Sequence, residues 1–182
     1  MSFHTDWISP RTGDVVATID IAVSPERVFR ALIDPEELAA WWVGLGAGAS
    51  RGTSAPKWRV DARPRGRWSV ATSDAAGSAT TVSGEYRVVD PPRVLEFTWE
   101  ASWDGFRTAT VRCELEPVMV DGAAGTRLRV FHTLARGAVA YGGVARPAFN
   151  WNDALASLAH YVAGRPLRPI FVARPFGRDI IA

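Results

Sequence analysis

The sequence predicts an α+β domain. A curved antiparallel sheet of about seven strands carries two short helices and a long C-terminal helix. Three observations lead there. Apolar and polar residues alternate with period two through most of the chain, the spacing of half-buried strands. Two helix starts follow the first such run, at Ser24-Pro25-Glu26 and Asp34-Pro35-Glu36. Near the end, Trp151, Leu155, Leu158 and Val162 fall on one face of a helix.

The elements follow in order. Val15, Ala17, Ile19, Ile21 and Val23 share one face of a first strand. Ser24 then suits an N-cap and Pro25 a first helical turn, with Val28, Phe29 and Leu32 as the apolar stripe. Asp34-Pro35 repeats the signal, and Leu38, Trp41 and Trp42 form the second stripe. A Gly/Ala/Ser-rich loop covers residues 44–56. Alternation then returns at Trp58, Val60 and Ala62, and at Trp68 and Val70 after the break Pro64-Arg65-Gly66. Val82, Gly84, Tyr86 and Val88 make the next inward row, closed by Pro91-Pro92. Leu95, Phe97 and Trp99 follow, then Ala109, Val111, Cys113 and Leu115. After a turn across Gly122–Gly125, Thr126, Leu128, Val130, His132 and Leu134 complete the series. Breaks of hairpin length imply a meander with one wet face, on which Arg112 and Glu114 lie. The last helix spans about 147–162, with Gly164 as its C-cap. Its stripe must pack into the concave face of the sheet.

Composition narrows the function. The chain has 182 residues, enough for one domain with its own core. Its domain spans residues 15–164, between an N-terminal segment 1–14 and an Arg/Pro-rich tail 165–182. The tail either wraps on its own domain or serves as a partner-binding strand or dimer arm, so a homodimer stays open. A single cysteine, Cys113, excludes an internal disulfide and favours the cytoplasm. No run approaches the ~20 apolar residues of a membrane span, and no signal peptide is recognisable at the start. Twenty-one basic residues against 19 acidic ones leave a net charge of +2, with the arginines spread among acids. That argues against a nucleic-acid face.

Most motifs of chemistry fail on context. Gly48-Ala49-Ser50-Arg51-Gly52 has the form of a hydrolase elbow but follows a helix and precedes a strand, the reverse of what the elbow requires. No phosphate-binding lysine motif occurs, and three histidines with one cysteine form no spaced metal set, so neither cofactor nor metal is expected. The positive signal is eight tryptophans. Core packing would account for them; so would the wall of a ligand cavity, where apolar rings and a few polar groups are the usual lining. On the second reading the wall comprises Trp41, Trp42, Trp68, Tyr86, Phe97, Trp99, Val111, Cys113, Val130, His132, Trp151 and Leu155. His132 shares the inward parity of Val130. It is either a hydrogen-bonded core residue or a candidate acid or base, and no other catalytic residue is identified.

Several strings taken together resemble the START-like (SRPBCC) superfamily with its helix-grip fold. They are Ser24-Pro25-Glu26-Arg27-Val28-Phe29-Arg30-Ala31-Leu32, Trp41-Trp42, Gly66-Arg67-Trp68 and Gly84-Glu85-Tyr86. Pro91-Pro92-Arg93-Val94-Leu95-Glu96-Phe97-Thr98-Trp99, Gly125-Thr126-Arg127-Leu128 and Trp151-Asn152-Asp153-Ala154-Leu155 continue the series. Within the superfamily the chain looks like the family named after the activator of the heat-shock-protein-90 ATPase. The resemblance implies a cavity between sheet and C-terminal helix, used elsewhere for lipids, sterols and polyketides. It leaves three functions to weigh: binding of a small hydrophobic or aromatic ligand, a polyketide cyclase/aromatase-like reaction, or a chaperone-interaction module. Binding is preferred, since apolar walls provide affinity without any catalytic group.

Overall fold

Period-two alternation becomes sheet almost wherever it occurs. The computed structural model describes residues 3–8, 15–42, 55–73, 79–102, 105–133 and 151–166. In chain order the elements are β1 (Phe3–Ile8), β2 (Val15–Ile21), α1 (Pro25–Ile33), α2 (Pro35–Trp41), β3 (Lys57–Val60) and β4 (Arg67–Ser73). Then come β5 (Ala79–Asp90), β6 (Val94–Ala101), β7 (Ala109–Val120), β8 (Ala123–Thr133) and α3 (Trp151–Val162). Among the described residues the strands form one eight-stranded sheet, in the order β1-β2-β8-β7-β6-β5-β4-β3. Every neighbouring pair is antiparallel. The eighth strand is β1, inside the segment 1–14 that the sequence assigns no element. Its string FHTDWI lacks clean alternation, and its pairing with β2 shifts register between His4 and Trp7.

The helix starts form as the caps require. Asp34 closes α1 and opens α2, its carboxylate accepting from the backbone N–H of Glu36 at 2.9 Å and of Glu37 at 3.1 Å. Ser24 caps α1 over a longer 3.5 Å contact to Arg27 N. Glu37, buried, pairs with Arg27 and Arg30, and the Arg27 guanidinium lies over the Tyr161 ring, linking all three helices. Gly164 ends α3 at φ +64°, with Arg165 N bonded to His160 O and Gly164 N to Tyr161 O. This double closure depends on a left-handed residue at that position.

Three departures from simple alternation shape the sheet. A bulge between Tyr86 and Val88 turns β5, so that Val89, not Val88, packs on the core opposite Leu95. Thr98 is buried between Phe97 and Trp99, its hydroxyl accepting from Glu85 N at 2.8 Å. The β7–β8 turn is Asp121-Gly122 alone, both at positive φ, with Val120 and Ala123 already paired; the expected turn through Gly125 is therefore mostly strand. Gly84 faces Thr98 so closely that a Cβ there would lie 1.8 Å from the Thr98 carbonyl oxygen and 2.7 Å from Trp68 Nε1. Only glycine fits.

All three helices cover one face. α3 lies against β1 and β2 and touches α1 and α2; α1 contacts β7 and β8, and α2 contacts β3. The opposite face carries the cross-strand ion pairs Asp20–Arg127 (2.8 Å, two bonds) and Arg112–Glu96, and Arg112 also pairs with Glu114 along its own strand. No described helix is long and apolar enough to cross a membrane.

Candidate functional site

The helix-covered face is an aromatic layer. Trp42, at the C-terminal cap of α2, stacks on Trp41 at 4.9 Å and meets Trp58 of β3 at 5.3 Å, Trp151 of α3 at 5.8 Å and Trp99 of β6 at 6.2 Å. Trp68 of β4 stacks with Trp58 at 6.1 Å and meets the Phe97 ring edge-on at 5.3 Å. Tyr86 packs edge-on to Phe97 at 6.0 Å. Such offset and edge-to-face contacts satisfy the ring quadrupoles and hold the layer together.

Within it lies a narrow cleft, partly open to solvent, lined by Leu32, Leu38, Trp42, Trp58, Trp68, Tyr86 and Phe97. Helices α1 and α2 roof it, and β3 to β6 form its floor. This cleft therefore sits beside the C-terminal helix instead of beneath it. None of its lining residues is charged. Its free space is far below the ~300–1,000 Å³ of drug-sized sites. As the rings stand, they leave room for about one water-sized particle, so a guest must part them.

Of the wall residues expected from sequence, Trp42, Trp68, Tyr86 and Phe97 line this cleft. The others are placed around it. Trp41 is fully buried, and its indole N–H donates to the Ala31 carbonyl at 2.8 Å, which makes it the pin between α1 and α2. Val111, Cys113, Val130 and Leu155 belong to the continuous core. Trp99, His132 and Trp151 form a second aromatic group under the start of α3, with centroids 5.6–6.3 Å apart. Leu32, Leu38 and Trp58 are wall residues that sequence reasoning assigned to helix stripes and strand alternation only. The signal for Trp58 is its pairing opposite Val70, two residues from Trp68 on the same face; for Leu32 and Leu38 no signal separates wall from core.

Polar chemistry in the layer is sparse. The Trp151 indole N–H donates to His132 Nδ1 at 3.1 Å. An imidazole that accepts at Nδ1 carries its proton on Nε2 when neutral, so this bond sets the tautomer. Burial, with smaller contributions from Cys113 and Asp61, pushes the Tyr86 hydroxyl above the ordinary phenol range. Tyr86 thus stays a neutral hydroxyl near neutral pH. Complete burial pushes the Cys113 thiol up to about 12, leaving it protonated and unreactive. The expected loop 44–56 lies outside the described residues up to 54, as do residues 147–150, Leu134 and the tail from 167.

The comparisons agree with the fold. The family model described as "Activator of Hsp90 ATPase homolog 1-like protein" matches residues 22–163. Protein CV1439 from Chromobacterium violaceum superposes with a TM-score of 0.63 at 23% identity, over 82% of this chain and 96% of that one. Protein Ms6760 from Mycobacterium smegmatis gives 0.62 at 16% identity, over 90% and 96%. PFC0360w, an HSP90 activator from Plasmodium falciparum, gives 0.59 at 22% identity, over 84% and 97%. At these identities the structures share the fold. A search of the curated proteins found no match. The family match over most of the chain, on a curved antiparallel sheet gripped by three helices, shows that the chain belongs to the activator of Hsp90 ATPase homolog 1-like family of helix-grip (SRPBCC) domains.

Proposed function

We propose that this domain binds a small apolar, aromatic molecule in the cleft on the helix-covered face of its sheet. The observation that carries the reading is the lining itself: five aromatic rings and two leucines from six elements, with no charged group among them. Burying apolar ligand surface there contributes ~25 cal/mol per Å², enough for useful affinity without an ion pair. The wall can part on one side. β3 is a four-residue edge strand paired only with β4, and its Trp58 is half-buried. Catalysis has less support, because His132 does not line the cleft and its Nδ1 is engaged by Trp151.

Native mass spectrometry of freshly purified protein tests the reading. The expected result is a discrete added mass that disappears on denaturation and identifies an aromatic or apolar compound. A bare chain mass, together with unchanged tryptophan fluorescence on titration with small aromatic compounds, would overturn it.

A further inference from the structure

The cleft's walls distinguish between apolar guests. The indole N–H groups of the lining residues Trp58 and Trp68 are both buried and meet no acceptor among the described residues, and that of Trp68 lies against Gly84 of β5. A buried donor without a partner is uncommon, because leaving it so is unfavourable by about the full desolvation of the group. Trp58 stacks on Trp68, also a lining residue, and the surrounding wall offers little to accept the proton: aliphatic side chains, ring faces and the Tyr86 hydroxyl. We propose that the cleft selects a neutral aromatic molecule bearing a carbonyl-type oxygen, which accepts from Trp58 Nε1. The selection rests on the binding reading above and sharpens it.

Other ligand classes fit the same walls less well. A hydrocarbon fills the space but leaves the Trp58 donor unsatisfied. A cation would be attracted by the ring faces, but it offers the Trp58 donor no acceptor. A carboxylate would accept the bond, but no cationic side chain lines the cleft to offset its desolvation. A neutral ketone or quinone-like oxygen satisfies the donor without bringing a charge.

The test uses a pair of nearly equal shape, 1-indanone and indane, titrated into the full chain and followed by calorimetry. Indanone should bind about threefold to tenfold more tightly than indane, the range one hydrogen bond contributes. Trp58→Phe keeps a ring and removes the N–H, so it should abolish that preference and bring the two probes to equal affinity, whatever the smaller ring costs both of them. The side-chain Nε1–H resonance of Trp58 provides a check that needs no variant, and should move downfield with indanone only. Equal affinities for the two probes would overturn the inference and leave the binding reading intact. A preference that survives in Trp58→Phe would also overturn it, since the donor would then lie elsewhere. Binding of neither probe would remove both.

Discussion

At the scale of single residues, burial decides chemical character. Cys113 and Tyr86 lie in the interior of β7 and β5, and both hold their protons more tightly than in water because the charged forms are desolvated. The consequence for stability has a definite sign. The unfolded chain loses the thiol proton near the ordinary value of 9.0, whereas the folded chain keeps it to about 12. Stability from this group is therefore complete below pH 9 and is lost as pH rises towards 12. At ~1.4 kcal/mol per pH unit the loss reaches up to about 4 kcal/mol. Tyr86 adds a second loss in the same direction, beginning near its ordinary value of 10.0. Urea unfolding between pH 8 and pH 11 should show the decline, and Cys113→Ala should flatten its first part. An unaltered profile in that variant would assign the decline to other groups.

At the scale of elements, capping and register decide where each piece begins and what it presents. Asp34 satisfies two backbone N–H groups at the start of α2 and closes α1, whereas Ser24 makes one long contact. Asp34→Ala should therefore lower stability by about 1–2 kcal/mol and Ser24→Ala by only a few tenths, measured by thermal or urea unfolding. Equal effects would mean that the capping bonds are not what holds α2 in place. The position of α2 matters to the site because Trp42 caps it and Leu38 points into the cleft. Those helix starts were legible from Ser-Pro-Glu and Asp-Pro-Glu alone, since a cap is a local bond between neighbours. The bulge at Tyr86/Val88 and the burial of Thr98 were not. Each depends on how β5 pairs with β6, a partner strand more than ten residues away.

At the scale of the whole molecule, the aromatic layer joins strands β3 to β6 and β8 to the helices α2 and α3. Trp42 is its centre, touching Trp41, Trp58, Trp99 and Trp151. Trp42→Ala should destabilise the domain by about 3–5 kcal/mol, a large share of the ~5–15 kcal/mol typical of a domain. Trp58→Ala, on a half-buried edge strand, should lose less than half as much. A reversed order in urea unfolding would show that the layer is not organised around Trp42. The same dense packing explains why the cavity implied by the family likeness takes the form of a narrow cleft: large rings at contact distance occupy most of the space the curved sheet encloses. By itself the sequence determined the class of fold, the order of strands and helices from β2 onward, and the inward parity of Trp68, Tyr86, Phe97 and His132. Caps, alternation and helical stripes are short-range patterns that each segment carries alone. Only the tertiary structure decided which inward residues line the cleft and which are core. That division made Trp41 a pin between two helices, brought Trp58 into the wall, and turned His132 towards Trp151. A buried side chain's neighbours are set by how the layers meet, and parity along a strand does not specify that.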